Sequence, residues 1–350
     1  MEKFVRVRVV QANAMDLSLF QFDYDLTFAA FFMNADKTIY GRFGSRSSRK
    51  DAMKGISIEG LGQALAAALE IHQHYPANRD LLAGKQAVFT EIKVPEMYPS
   101  LNWYKPTLDY EGAVVRSCMH CHQIHEAQRK SYRSAGKPMP DKVLYPWPSP
   151  ETIGLILDPT EKAKVRFVSK DSEAERAGFQ SGDEIVSLEG QQILSIADVQ
   201  WVLHNTPESG TLEAIVRREG SESPLELQLS EGWRRNSHMT WRVSAWDLRR
   251  MGTGALVLQS LSEDAREQAG LTDAQLGLLV EGMGRHPPHN GAKMAGFQNG
   301  DIIVDFDGQT HYMTPSNLLA YSMQNTQPGD SMAVTVLRAG ERVDLTLTAQ

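Results

Sequence analysis

An internal repeat constrains this chain more than any other feature. Residues 174–191 read AERAGFQSGDEIVSLEGQ and residues 292–309 read AKMAGFQNGDIIVDFDGQ, so eleven of 18 positions match at an offset of 118. Further on, Asn205-Thr206 answers Asn325-Thr326, and Arg218-Glu219-Gly220 answers Arg338-Ala339-Gly340. Self-similarity of this kind marks one supersecondary unit used twice. The unit can be read residue by residue. Residues 172–176 are polar and small, suiting a short helix start. Gly178 and Gly182 punctuate a tight turn, where a positive φ costs little without a Cβ, and Asp183 can bond back to the turn backbone. Ile185, Val186 and Leu188 form a strand, and Gly190 turns it into a hairpin. Ala197, Val199, Val202 and Leu203 recur at helical spacing. Residues 211–217 and 224–229 alternate as a closing hairpin. In the second copy the helix falls at 316–324 and the closing strands at 332–337 and 342–347.

These two segments resemble the bacterial PDZ domains of HtrA-type proteases, and the resemblance covers residues 150–350. It implies binding of protein C-termini or extended peptides by strand addition to a sheet edge. By position, Gly154, Leu155, Ile156 and Leu157 match the carboxylate-binding loop and binding strand of the first copy. Gly254, Ala255, Leu256 and Val257 match them in the second. Copies that serve as spacers with closed grooves are the alternative. Residues before 150 contain neither G-x-S-x-G nor a Gly-Asn/Asp-Ser-Gly-Gly segment, and they are too few for a double β-barrel. The expectation is that the chain is not a serine protease.

The chain holds only two cysteines, Cys118 and Cys121, so no disulfide staples distant parts of the fold. They lie in Cys118-Met119-His120-Cys121-His122, a C-x-x-C-H segment and the attachment signature of c-type haem. In that reading Cys118 and Cys121 capture the porphyrin and His122 is the proximal iron ligand. Met139, between two prolines, is the candidate distal ligand, with Met97 and His125 as alternatives. Good helix formers at 123–130 place the motif on a helix, with Cys118, Cys121, His122 and His125 on one face. The same four residues are a rival zinc set, and the cysteines alone are a rival redox dithiol. Tyr98, Trp103, Tyr104, Tyr110, Tyr132, Tyr145 and Trp147 surround the motif, as lining of a haem crevice or as filling of an irregular domain.

At the N-terminus, residues 4–10 alternate as a strand and residues 17–22 suggest a short helix or turn. Residues 26–33 fit a buried strand, 38–44 the next strand, and 58–72 a helix with Ile58, Leu61, Leu65, Ala68, Leu69 and His72 on its buried face. The stretch LTFAAFFMNADKTIYGRFG is similar to the second half of a thioredoxin fold. Leu26-Thr27 stands where that family has Pro-Thr, and the first strand and the redox helix are absent. The architecture resembles a family of bacterial thioredoxin–PDZ proteins, some carrying selenocysteine. This implies that Met1 is a downstream start, with a signal peptide and redox motif upstream.

The net charge of −7 argues against nucleic acid as a partner, because phosphate contacts need clustered cations. The longest apolar run, residues 28–33, is too short for a membrane span of about 20 residues. With 41% hydrophobic and 23% charged residues, the chain is ordinary globular stock. The reading is a multidomain α+β protein: a partial thioredoxin-like domain (1–80), an irregular helical cytochrome-c-like segment (81–150), and two PDZ domains (151–232 and 233–350). The expected function is extracytoplasmic electron transfer with haem c, the PDZ pair docking partners and a redox partner protein completing the circuit. A non-enzymatic PDZ scaffold with a structural or zinc-binding C-x-x-C-H segment is the alternative, and a thiol oxidoreductase with its redox motif upstream is another. The expected location is the periplasm, or the cytoplasm if Met1 is the true start.

Overall fold

The computed structural model describes residues 2–46 and 55–350; Met1, whose status as a start the sequence questions, lies outside them. The chain divides into two compact units, Met1–Ile124 with Tyr145–His238, and His125–Leu144 with Met239–Gln350.

In the first unit, strands Ala30–Met33 and Ile39–Phe43 form an antiparallel hairpin in which Ala30 faces Phe43. Asn34 closes its turn by accepting the Thr38 N–H on Oδ1. Helix Ile58–Gln73 follows, opened by Ser57, whose Oγ accepts the Gly60 N–H at 2.9 Å. Its buried residues are Gly60, Ala64, Ala67, Ala68 and Ile71, packed with Phe32, Tyr40, Phe43 and Leu82. Of the face expected from the spacing, Ala68 is buried and Leu61 and Leu65 pack half-buried against the same core, but Ile58 and His72 are exposed and the small residues lie deepest. The small residues win because they allow close approach: a Cβ at Gly60 would lie 2.2 Å from the Pro159 carbonyl oxygen. The strand expected at 4–10 is also corrected. Val5, Val7 and Val9 are exposed and unladdered. Alternation alone does not make a strand; a partner must bury one face.

The first repeat lies in the same unit. Strands Leu155–Leu157 and Val165–Val168 pair with each other, and Gln191–Gln192, Glu184–Leu188, Gly210–Arg218 and Ser221–Leu229 lie side by side in that order. The Lys164–Glu184 bridge and the Val165 N–H to Asp183 carbonyl bond link the two sheets. Helix Ile196–Asn205 begins at Ser195, whose Oγ accepts the Ala197 N–H. Ile153, Leu155, Ile185, Val199, Leu212 and Leu227 share one core.

The second unit repeats the plan. Strands Leu256–Ser260, Leu278–Met283, Ile302–Phe306, Ser331–Arg338 and Glu341–Thr348 form one five-stranded antiparallel sheet in chain order. Helix Pro315–Asn325 is capped by Thr314. The repeat extends to a ladder irregularity, at Ile185/Ser187 in one copy and Ile303/Asp305 in the other. Two additions set the second copy apart. Helix Glu263–Gln268 separates its first two strands, and helix Ala245–Thr253 precedes Gly254 where the first copy has only the 3-10 turn Pro150–Ile153.

Candidate peptide-binding site

Each copy presents a turn with positive φ that feeds an edge strand. In the first, Gly154 ends the turn Pro150–Ile153 at φ +88°, and its carbonyl accepts the Ser169 N–H at 2.9 Å. A Cβ there would meet Ser172 at 2.2 Å, so only glycine fits. Among the described residues, Leu155–Leu157 then pairs on one side alone, with Val165–Val168. Leu155 and Leu157 are buried, while Ile156 is half-buried.

In the second copy Gly254 and Ala255 both take positive φ, +60° and +70°. The Ala255 carbonyl accepts the Gly284 N–H, and the Gly254 carbonyl accepts the Ala292 N–H. Leu155 faces Val168 and Leu256 faces Met283, with the Ser169 and Gly284 amides one step further along. The equivalent of Gly154 is therefore Ala255, one residue later than residue order alone suggests. Leu256–Ser260 is the free edge of its sheet among the described residues, and Val257 and Leu258 on it are half-buried. An unpaired strand edge offers a row of backbone donors and acceptors to an incoming extended chain.

Sequence reasoning missed the helix that lies beside each edge strand as part of the site. Helix Pro315–Asn325 keeps a half-buried face at Asn317 and Tyr321, while Leu319, Ser322 and Met323 are buried. The Ser322 Oγ donates to the Gly252 carbonyl at 2.7 Å, and Gly252 sits close against Leu319 and Met323. Helix Ile196–Asn205 is different: every residue from Ala197 to Leu203 is buried. Arg42 lays its guanidinium over the Trp201 ring at 3.7 Å, and Trp147 stacks on His204 of the same helix with ring centroids 4.3 Å apart. The spacing that marked both helices in the sequence was the available signal for these positions.

The C-x-x-C-H segment has a different geometry from the one expected. Helix His122–Ser134 begins at His122. Cys118 follows the short helix Val114–Ser117 in extended conformation, and Cys121 lies in a turn, so helical spacing does not align the cysteines with the histidines. Asn13 holds the segment: its side-chain amide donates to the Lys105 and Ser117 carbonyls, and its Oδ1 accepts the Met119 N–H. Both thiols are free and half-buried. Burial pushes the Cys121 thiol up, away from the thiolate that redox exchange or metal binding needs. The Tyr24 phenol is pushed up by burial, then by neighbouring Tyr98 and Cys121, so aromatic side chains crowd Cys121. The His120 and His122 rings stack at 5.8 Å. Met139 is buried in the second unit, its carbonyl accepting the Gln324 side-chain N–H at 3.0 Å. His125 is buried and belongs to that unit too, whereas Cys118, Cys121 and His122 belong to the first. Met97 is half exposed, and its sulfur accepts the Lys93 N–H.

Residues 164–218 match the PDZ domain family model. The chain is 26% identical over 191 residues to a probable periplasmic serine endoprotease DegP-like of Marinomonas sp. (strain MWYL1), covering 54% of this chain and 37% of that protein. The protein of the same description from Pseudomonas savastanoi pv. phaseolicola is 25% identical over 199 residues, 56% of this chain and 39% of that one. The chain thus spans less than two fifths of these relatives' length. Among solved structures, the HtrA-type protease AlgW with decapeptide is 19% identical, covering 39% of this chain and 40% of that one, with a TM-score of 0.24. The serine endoprotease from Yersinia pestis is 24% identical, covering 23% and 28%, with a TM-score of 0.21.

These matches establish a PDZ domain and homology to HtrA/DegP-type proteases. They overturn the haem c electron-carrier reading: the relatives are named serine endoproteases, and nothing among these matches points to a haem c redox function. They also correct the expectation that the chain stands apart from serine proteases: its relatives carry that name, over part of the chain. No helix among the described residues is long and apolar enough to cross a membrane.

Proposed function

We propose that this chain is a tandem-PDZ peptide-recognition protein acting outside the cytoplasm, in the selection of polypeptides for HtrA-type proteolysis. One observation carries the reading. In each copy a carbonyl-anchored, positive-φ turn delivers an edge strand with one side unpaired, at Leu155–Leu157 and at Leu256–Ser260. An extended peptide would add its backbone to such an edge, and its terminal carboxylate would meet the amides of the turn. Unfolded or cleaved polypeptides supply ligands of this kind. The periplasmic description of the DegP-like relatives supports the location.

The test uses fluorescein-labelled decapeptides that end in Val, Leu, Ile, Phe or Ala. Each is made with a free or an amidated C-terminus and titrated with the full chain. Saturable binding of free-acid peptides and loss of affinity on amidation support the proposal. Absence of binding to every peptide would refute it.

A further inference from the structure

We infer that the two copies divide their ligands by charge: the second takes polypeptide ends with acidic residues next to the terminal carboxylate, and the first disfavours them. The inference rests on the peptide-binding reading and names the ligand class of each copy.

In each copy one loop, with the short helix after it, lies against the positive-φ turn. In the first, Ser169 donates its N–H to the Gly154 carbonyl, and a Cβ on Gly154 would collide with Ser172. Helix Glu173–Arg176 follows directly. In the second, Gly284 donates to the Ala255 carbonyl, and Ala292, in helix Gly291–Met294, donates to the Gly254 carbonyl at 2.9 Å. Between these two contacts the loop folds back on itself. The His289 N–H donates to the His286 carbonyl at 2.8 Å, and a Cβ on Gly284 would collide with the His289 carbonyl oxygen. Ala174 and Ala292 hold the same place in the repeat, so the residues around them correspond position by position.

The charges at those positions differ in sign. Asp171, Glu173 and Glu175 of the first copy answer His289, Gly291 and Lys293 of the second. Lys170 and Arg285, each directly after the anchoring amide, agree in sign. The segment leading into each turn repeats the contrast. The carbonyl that accepts the Gly154 N–H belongs to Glu151, and the one that accepts the Ala255 N–H belongs to Arg249. The minority charges are taken up nearby: Arg176 by Glu173 and the Asp171 carbonyl, Asp247 by Arg250 at 3.0 Å and Lys130 at 3.2 Å. Arg166 and Glu281 oppose the sign of their own turns, but they lie on the strands behind the edge strands, about 4.8 Å further from an added peptide. Backbone that touches the turn thus carries mostly anions in one copy and mostly cations in the other. Strand addition brings a ligand's terminal residues to that turn. Charges within about 8 Å of one another escape most of the screening by salt, so like signs penalise a ligand there and opposite signs favour it.

The experiment is fluorescence anisotropy of the full chain at about 0.15 M salt. Its probes are two labelled free-acid decapeptides that share the best final residue of the panel above, one with a run of glutamates before that residue and one with a run of lysines. Wild type should bind both. Excess unlabelled lysine peptide should leave most of the labelled glutamate peptide bound, because the two occupy different copies. Arg285, Lys293, Asp171 and Glu175 are all exposed, so their variants should fold, which circular dichroism checks. Arg285→Glu with Lys293→Glu should weaken the glutamate peptide relative to the lysine peptide by about fivefold. Asp171→Asn with Glu175→Gln should move the ratio the other way. Failure of either peptide to bind while a panel peptide does, full displacement of one by the other, or an unchanged ratio in either double variant would overturn the inference and leave peptide binding intact. No binding of any peptide would instead remove the peptide-binding reading, and this inference with it.

Discussion

Arg218 grips Asp183 through two parallel hydrogen bonds, Nε to Oδ1 at 2.7 Å and Nη2 to Oδ2 at 2.8 Å. Asp183 also accepts the Gln180 N–H at 2.9 Å, and Arg218 reaches the Gly178 carbonyl. The second copy repeats all of it with Arg338, Asp301, Gln298 and Gly296. This clamp explains why the G-F-Q-x-G-D segment and a distant arginine recur together. It ties the turn after the short helix to the first strand of the closing hairpin. Asp183 is fully buried whereas Arg218 stays partly exposed and can be hydrated when left alone. Asp183→Ala should therefore lower the urea midpoint through the lost charge-assisted hydrogen bonds and turn contact, rather than by stranding a buried cation.

The same carboxylate predicts an acid limit. Burial alone would raise the Asp183 carboxyl, but the Arg218 hydrogen bonds and the Gln180 N–H outweigh it and hold it below the usual range. A depressed carboxyl contributes stability that is fully present above its unfolded pKa of about 3.9 and is lost as the pH falls through the lower folded value. Its contribution to the urea midpoint should be level above about pH 5 and fall below about pH 4. The fall should be shallower in Asp183→Asn. Equal acid slopes in the two proteins would contradict the assignment.

A buried ion pair joins the 3-10 turn Arg79–Lys85 to the first PDZ copy. Lys85 Nζ donates to Asp198 Oδ2 at 2.8 Å, and both side chains are almost fully buried. Asp198 also accepts the Arg42 and Leu194 N–H groups. Burial lowers the Lys85 ammonium despite Asp198, so the pair is held against a desolvation cost. Lys85→Met should destabilise by about 3–5 kcal/mol, because the buried Asp198 side chain loses its ion-pair partner. Adding Asp198→Asn should recover part of that loss, and a double-mutant cycle on urea midpoints measures the coupling. Strict additivity would mean that the two side chains act independently.

Much of the PDZ pair was legible in the sequence because its signals are local. Paired glycines, an aspartate two residues after the first strand's turn begins, and helical spacing at Ala197, Val199 and Val202 each specify their own neighbourhood. The N-terminal region was less legible because its decisive contacts are distant. The buried face of helix Ile58–Gln73 is set by the Pro159 carbonyl above Gly60, a contact that periodicity cannot see. The C-x-x-C-H motif names residue types without fixing the backbone that carries them. Here Asn13, over a hundred residues away in sequence, holds that backbone in a non-helical turn. At the candidate site the glycine turns were readable, but the one-residue offset that makes Ala255 the counterpart of Gly154 was not, since it depends on the pairing of Leu155 with Val168 and of Leu256 with Met283.

The turn glycines give a fourth prediction. At Gly254 a Cβ would lie 2.5 Å from the Ala292 backbone nitrogen, at φ +60°. Gly254→Ala should lower stability by about 1–3 kcal/mol and weaken peptide binding. The control is Gly300→Ala, also at positive φ but with nothing within 4 Å of its added Cβ. It should lower thermal stability without changing peptide affinity. Equal loss of affinity in both would remove the case for a specific role of the Gly254 turn.

The thiols give a fifth. Because burial raises the Cys121 thiol, iodoacetamide should label it slowly at pH 7.5, with the rate climbing above about pH 9. Mass spectrometry of timed digests reads the rate directly. Fast labelling of Cys121 at neutral pH would contradict its buried, protonated environment.

The central claim is that this chain captures extended polypeptide ends at its strand edges. The measurement that tests it most directly is fluorescence anisotropy of one labelled decapeptide, with its C-terminus free and then amidated, titrated with the full chain. The account predicts saturation with the free acid and an affinity at least tenfold weaker with the amide. Equal affinities, or a flat titration with both, would contradict it.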